Sequence, residues 1–557
     1  MDNLIGFVHF DKASIKSNRV EGLVTKENAS KLLRNQFVKI QDATEDKREF
    51  IGRILEGPFF QPEEVSRDSA LAQVSILRGN EFPIPPNFYA VIVVEVIGEL
   101  HENYIKSTSS RPCPQSKILG LDSDSLNEIL GLNSGNLLIG NLEGYPSVLV
   151  KFDSTKISII PRNIGIFGTV GSGKTNTAQV LIEELAERES KNSDKWAVIV
   201  LDVEGEYTKM QEPEDQIDPL SKNILASRFS IHPEGLKDFH VLKLCKHDSM
   251  VPTAEEVTIN IAEIDEYLLT EILQTPEPQS AALFSIIDSL KKSVKAVDVD
   301  DDILPGKRKK SGYTLKDIIK KIDEQLENSR RRKRKEDDEE TKEDKPLVGA
   351  QSLIPLKRKL LTLDRTEAFD DPTALRIDPD KLLKPGRVTV FDLSYTGDYE
   401  KNLLIAQLLE RIFKAKRDDG KEGGNPRYPK TMIIIEEAHS FISRENKDKM
   451  VQTIRKLKEI ARRGRKRWLS LCFISQQPAH LPNEIFELAN TRIVHNIRSK
   501  SNLEVLKASS GDVTEEMWDS VPSLGPGQAI INGPQFKNSL VVEVRHCRSK
   551  RIKQESL

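Results

Sequence analysis

The sequence contains no run approaching the roughly 18 consecutive apolar residues that a membrane-spanning helix requires. Its start, MDNLIGFVHFDK, lacks the basic opening and long apolar core of a secretion signal, so the expected location is the cytoplasm. Cysteine is scarce and dispersed. Cys113, Cys245, Cys472 and Cys547 show no CxxC spacing and have no histidine cluster nearby, which excludes a zinc site and predicts reduced thiols. Net charge is nearly absent too: 83 Lys and Arg against 86 Asp and Glu leave −3. Contact with nucleic acid must therefore come from a local basic surface rather than from the chain's overall charge.

What is present is enough apolar material for several cores. At 557 residues, with 38% hydrophobic and 30% charged side chains, the chain fits a soluble globular protein of more than one unit. Residues 1–117 hold short β-like runs (IGFVHF, GLVTK, QFVKI, EFIGRIL, YAVIVVEVIGEL) broken by Gly- and Pro-rich turns, the pattern of a small barrel or sandwich. Residues 118–162 read as a linker with the first strands leading onward. From Asn163 apolar strands alternate with long helical segments, which predicts an α/β domain with a mostly parallel sheet. That pattern covers 163–209 and resumes over 386–545. Between them, 210–385 reads as a helical insertion without comparable strands. Inside it Arg330 to Lys345, RRRKRKEDDEETKEDK, has no large apolar residue and is expected to be a disordered charged loop. Residues 546–557 form a polar tail expected to leave the domain.

The chemistry concentrates at GTVGSGKT, after the strand-like IGIFG and before a helical run. In GxxxxGK[ST] the loop Gly168, Thr169, Val170, Gly171, Ser172 and Gly173 presents backbone N–H groups to phosphate oxygens. Lys174 reaches the β and γ phosphates, Thr175 offers its hydroxyl to Mg²⁺, and Asn176 follows at the helix start. Such a loop needs carboxylates on a neighbouring strand. MIIIEEAH supplies Glu436 for the metal, through its water shell, and Glu437 to polarise an attacking water. Asp202, Glu204 and Glu206 in LDVEGEY either support the metal site from behind or are ordinary turn residues. Gln476, in ISQQP, is placed like an amide that senses the γ-phosphate. RKLKEIARRGRKR, from Arg455 to Arg467, has three readings: a source of an arginine finger for a neighbouring subunit, a helix facing DNA phosphates, or a solvated helix.

In order and rough spacing, GTVGSGKTNT, LDVEGEY, IIIEEAH, the ARRGRK helix, SQQP and LGPGQAIINGP resemble the HerA family of hexameric DNA translocases, relatives of FtsK. The resemblance spans nearly the whole chain. It implies a RecA-like P-loop core with an N-terminal small β-barrel and a helical-bundle insertion. It also implies ATP and Mg²⁺ at Lys174 and Thr175, Glu436 and Glu437 as the acidic pair, Gln476 as sensor, and Arg463 and Arg465 as finger candidates. The chain departs from the family pattern at Glu204, where His is usual, at Arg463, where an acidic residue is usual, and at Gln477, where Arg is usual. The implied activity is ATP-driven movement of double-stranded DNA through a homohexameric ring. The barrel would dock a NurA-like nuclease or, in antiphage defence, another effector such as a sirtuin-like NADase. The competing expectation is a regulatory scaffold in which nucleotide gates an effector and no DNA is pumped. The chain shows no nuclease metal cluster of its own, and no LSGGQ-like signature of a transporter ATPase stands between the P-loop and Glu436.

Overall fold

In a computed structural model, residues 4–10, 18–62, 88–102, 104–132, 134–160, 162–187, 194–300, 312–336, 350–419, 426–442, 445, 451–511 and 513–552 are described. They fall into two units, Met1–Asp153 with Ser510–Arg545, and Ser154–Ser509 with His546–Leu557. The first unit thus takes in 118–153 and 510–545, stretches that the sequence assigns to a linker and to the α/β core.

In the first unit, strands β1 (Leu4–Val8), β2 (Arg19–Val24), β3 (Phe37–Gln41), β4 (Glu49–Pro62), β5 (Phe88–His101), β6 (Tyr104–Lys106) and β7 (Lys117–Gly120) pair in the order β2-β1-β7-β3-β4-β5-β6. A further antiparallel pairing of β2 with β5 closes the first six of these into a barrel, with β6 outside it. Period-two alternation causes this: in RVEGLV every second residue is buried, and Val20, Val24, Ile40, Phe50, Ile54, Ile92 and Val94 fill the interior. Strands β8 (Leu137–Leu142) and β9 (Tyr145–Phe152) form a hairpin after the barrel.

The second unit is built on β10 (Asn163–Phe167), β11 (Ala197–Asp202), β12 (Phe239–Leu244), β13 (Glu255–Thr258), β14 (Leu375–Arg376), β15 (Val388–Asp392), β16 (Thr431–Ile435), β17 (Leu469–Ser475) and β18 (Ala489–Val494). Their order is β14-β13-β12-β15-β11-β16-β17-β10-β18, parallel at every pairing. NIGIF, AVIVLD, VTVFD, TMIII and LSLCFIS are buried at every position, as strands covered on both faces must be. The stretch 210–385 is not purely helical: it supplies β12, β13 and β14 to the sheet. These strands were hidden because FHVLKL and EEVT mix in polar residues at an edge that is only half covered.

The helical part of that stretch packs Glu277–Asp300, Leu315–Glu336 and Ala350–Asp364 against one another. Leu283, Ile286 and Ile287, Leu315, Ile318 and Ile322, and Leu353, Leu356 and Leu360 are buried at helical spacing. The basic block from Arg330 is not a loop: the helix runs on through Glu336. Once an apolar face has nucleated a helix, adding good helix formers such as Arg, Lys and Glu costs little, so composition misled here. The acidic remainder, 337–345, lies outside the described residues.

The chain finally returns to the first unit as β19 (Gln528–Asn532) and β20 (Leu540–Val544), which pair with each other and, through β20, with β8. Residues 546–552 do not leave their domain. They belong to the second unit, where Pro213 bridges Ser549. Among the described residues no helix is long and apolar enough to cross a membrane.

Candidate nucleotide site

The sheet order fixes the site before any side chain is considered. Strand β17 lies between β10, which leads into the P-loop, and β16, which leads into Glu436, with β11 on the far side of β16. All are parallel, so their C-terminal ends meet at one edge, where ligands of open α/β sheets bind.

The loop after β10 is shaped by glycine. Gly171 and Gly173 have φ of +73° and +113°, which side-chain-bearing residues rarely adopt. A Cβ on Gly168 would stand 2.5 Å from Ser172 Oγ and 2.8 Å from the His495 Cβ. The end of β18 anchors the loop: the Asn496 carbonyl accepts both the Thr169 N–H (2.8 Å) and the Thr169 hydroxyl (3.0 Å). Beneath it, fully buried His495 contacts the Thr177 hydroxyl through Nε2 at 2.9 Å. Ser172 Oγ donates to the Thr169 carbonyl (2.7 Å), and so does Lys174 Nζ (3.0 Å). Burial lowers the Lys174 pKa while the charges of Glu437, Glu206 and Glu436 oppose the shift, so this ammonium is the cation of an acidic group.

Glu436 and Glu437 stand at the end of β16, both buried. Glu436 accepts the Val203 N–H at 3.2 Å and hydrogen-bonds the Asp202 carboxyl. Burial pushes Glu436 well above the usual carboxylate range, reinforced by the Asp202 charge, and pushes Asp202 up to about 7. Glu437 turns away because its backbone is left-handed, φ 42° and ψ 50°. Its carboxylate lies 3.0 Å from His439 Nδ1 and accepts the Gln476 N–H at 3.4 Å. His439 is also 3.2 Å from Ser475 Oγ. Lys174, Thr175, Glu436, Glu437 and Gln476 thus come together. Gln477 is exposed.

LDVEGEY, left open between two readings, divides by residue. Asp202 organises the turn, accepting the N–H groups of Gly205 (2.8 Å), Glu206 (3.2 Å) and Tyr207 (2.9 Å). Glu204 points outward. Glu206 accepts the Thr175 hydroxyl at 2.6 Å. The sequence leaves Glu206 open together with Asp202 and Glu204 and does not single out His439; the signals available are an acidic residue four positions after a strand end and the spacing within EEAH.

Arg463 and Arg465 are not brought to this edge. Arg463 ends the helix Val451–Arg463 and Arg465 lies in the following turn Gly464–Arg467, ahead of the first residue of β17. Since Phe167 is opposite Ser475 in the register, about 20 Å of strand separates them from the P-loop. Arg463 pairs with Glu459 at 2.8 Å and stays 69% exposed, and Arg465 donates to the Ile157 carbonyl at 2.9 Å.

The donor set fits a nucleoside triphosphate with Mg²⁺. Positive-φ glycines let the loop's N–H groups converge, Lys174 supplies charge, and Glu206 accepts the hydrogen bond of the Thr175 hydroxyl so that an oxygen lone pair is free for a metal. Magnesium keeps most of its waters and needs few protein ligands.

Residues 137–412 match the family described as Helicase HerA, central domain, and residues 321–548 match Helicase HerA-like C-terminal. The chain is 23% identical to a probable helicase of Methanocaldococcus jannaschii over 527 residues, covering 90% of this chain and 92% of that one. It is also 23% identical to the DNA double-strand break repair helicase HerA of Pyrococcus furiosus, covering 84% and 79%. Among solved structures, VirB4 of Thermoanaerobacter pseudethanolicus superposes with a TM-score of 0.48 at 15% identity, over 74% of this chain and 96% of that one.

Proposed function

The chain belongs to the HerA family and is a P-loop ATPase, and from its site we propose that it hydrolyses ATP between neighbouring copies in a homohexameric ring and so moves double-stranded DNA. The observation that carries this reading is the convergence of Lys174 and Thr175 with Glu436 and Glu437, 262 positions later than Lys174, at one sheet edge, while the basic segment Arg455–Arg467 ends at the other. A site with its phosphate-binding and acidic halves on one edge and its guanidinium groups on the opposite edge is completed by a second copy.

In that reading the loop's N–H groups and Lys174 hold the β and γ phosphates. When bound there, Mg²⁺ would supply charge to offset that developing on the transferred phosphoryl group. Thr175, aimed by Glu206, and Glu436 would hold the metal. Glu437, held by His439 and the Gln476 N–H, orients the attacking water, and the Gln476 amide reads the γ-phosphate. Arg463 or Arg465 of the next copy stabilises the transition state.

Exposed Arg462, Arg463 and Lys466 suit phosphate contacts, which are sequence-independent and salt-sensitive. Phe59 and Phe60 on β4, 49% and 58% exposed, give the barrel an apolar surface for a partner protein, a nuclease or another defence effector. Duplex-stimulated ATPase, measured at rising salt, tests the motor. Stimulation lost at high salt and abolished in Lys174→Ala supports it. If duplex never stimulates turnover and Lys174→Ala leaves a partner effector's activity unchanged, DNA pumping is wrong.

A further inference from the structure

The turn that carries Glu206 is covered by a part of the chain that belongs to none of the motifs. Strand β12 ends at Leu244 and β13 begins at Glu255, and the loop between them leaves the sheet at the edge where the P-loop and Glu436 stand. There the Met250 side chain lies lengthwise over Gly205. A Cβ added to Gly205 would stand 2.7 Å from Met250 Cγ, 3.4 Å from its Cε and 3.7 Å from its Cβ. Gly205 has φ +76°, and its N–H donates to Asp202 at 2.8 Å. Glycine therefore serves this turn twice, in its backbone conformation and in the close approach of Met250.

Met250 is itself held from two sides. Buried Asp392 lies beside Asp202 in the register of β15 with β11. One of its oxygens accepts the Met250 N–H at 2.8 Å and the Ser249 hydroxyl at 2.6 Å. The other accepts the Ser394 N–H (3.1 Å) and the Ser394 hydroxyl (2.6 Å). Four donors fill the lone pairs of a carboxylate, so Asp392 anchors this loop and is not a second metal carboxylate beside Asp202. A carboxylate buried without such donors would be costly, which ties the loop firmly to the strand end. From the other side the Tyr395 hydroxyl donates to Met250 Sδ at 3.6 Å.

We propose that Met250 is a positioning residue of the nucleotide site, pressing on the Gly205–Glu206 backbone and so setting where the Glu206 carboxylate meets the Thr175 hydroxyl. This role rests on the reading that Thr175 and Glu206 serve the bound metal. Every link is a direct contact: Asp392 to the Met250 N–H, the Met250 side chain to Gly205, the peptide from Gly205 to Glu206, and Glu206 to Thr175 at 2.6 Å. Close packing leaves little slack along such a path, and a hydrogen bond this short tolerates little displacement. Met250 is only partly buried, so its side chain caps the turn and is not part of the core. The outer strands of the sheet thereby hold the hydroxyl of the P-loop helix without touching the nucleotide.

The test is binding of a fluorescent ATP analogue to the full chain as Mg²⁺ is titrated, in wild type, Met250→Ala, Met250→Leu, Glu206→Ala and the double variant Met250→Ala with Glu206→Ala. Met250→Ala is expected to raise the Mg²⁺ concentration for half-saturation about fivefold, with little change in the melting temperature without nucleotide. Met250→Leu, close to methionine in volume, should restore most of the wild-type response. Because Met250 acts through Glu206, Met250→Ala should add nothing in the Glu206→Ala background. If Met250→Ala does not fold, Met250→Val, too short to cover Gly205, decides in its place. A wild-type Mg²⁺ dependence in Met250→Ala beside a shifted one in Glu206→Ala overturns the proposal, and so does a Met250→Ala effect that persists in full in the double variant. A wild-type Mg²⁺ dependence in Glu206→Ala overturns instead the metal reading beneath it.

Discussion

The Thr175 hydroxyl donates to Glu206 across 2.6 Å, joining the first turn of the P-loop helix to the turn after β11. A hydroxyl whose proton is committed in this way presents its lone pairs to a cation. Glu206→Ala is therefore expected to raise the Mg²⁺ concentration that supports half-maximal ATPase by about tenfold, the effect of losing one charge-assisted hydrogen bond. Glu206→Gln keeps an acceptor oxygen and should lie between the two. Equal Mg²⁺ curves for wild type and Glu206→Ala would remove Glu206 from the site.

The arginines answer to a different measurement. Because Arg463 and Arg465 lie on the far edge from their own P-loop, replacing by Ala whichever of them acts in the proposed finger role should leave nucleotide affinity unchanged and lower kcat by about 10³-fold. The other arginine should have little effect. If both variants keep wild-type kcat, neither arginine is a finger.

The Asp202 and Glu436 carboxyls set a pH dependence of opposite sign to that of an ordinary surface carboxylate. Burial raises both, Asp202 to about 7, so between the unfolded value near pH 4 and the folded one the native state holds more protons than the unfolded chain. Their stabilising contribution is complete below about pH 4 and is lost as the pH rises towards 7. In melts without nucleotide, the stability of wild type relative to Asp202→Asn should fall across that window. A flat difference would show that Asp202 titrates normally.

Gly168→Ala tests the loop's packing rather than its charge. The added methyl would meet Ser172 Oγ at 2.5 Å and the His495 Cβ at 2.8 Å, and fully buried His495 has little room to yield. We expect nucleotide affinity to fall at least tenfold, with about 1–3 kcal/mol of lost stability, by calorimetry and denaturant titration. Wild-type binding would mean that the loop relaxes freely.

Much of this was legible in the sequence because the relevant signals are local or periodic. Alternation in RVEGLV announces a barrel strand, and unbroken runs such as AVIVLD announce strands covered on both faces. Lys174, Thr175, Glu436 and Glu437 could be named because strand-end chemistry follows directly from motif and strand. What stayed hidden depends on contacts distant in sequence. The order of β11, β16 and β17, which gives Glu206 to Thr175, is set by crossovers. The fate of RSKR at 548–551 depends on Glu183, which accepts the Ser549 hydroxyl from 366 positions earlier in the chain, and a polar tail and a docked segment have the same composition. The strands β12 to β14 are hidden because strands near a half-covered sheet edge need not be apolar.

The left-handed backbone at Glu437 has a consequence of another kind. A side chain other than glycine held at φ 42° stores about 1–2 kcal/mol of local strain, and the rest of the fold sustains it. Glycine would relieve that strain while removing the carboxylate. Heat resistance and turnover therefore pull this position in opposite directions: Glu437→Gly should melt higher than wild type and hydrolyse essentially nothing, so selection for thermal robustness in the absence of selection for activity would be drawn to this residue.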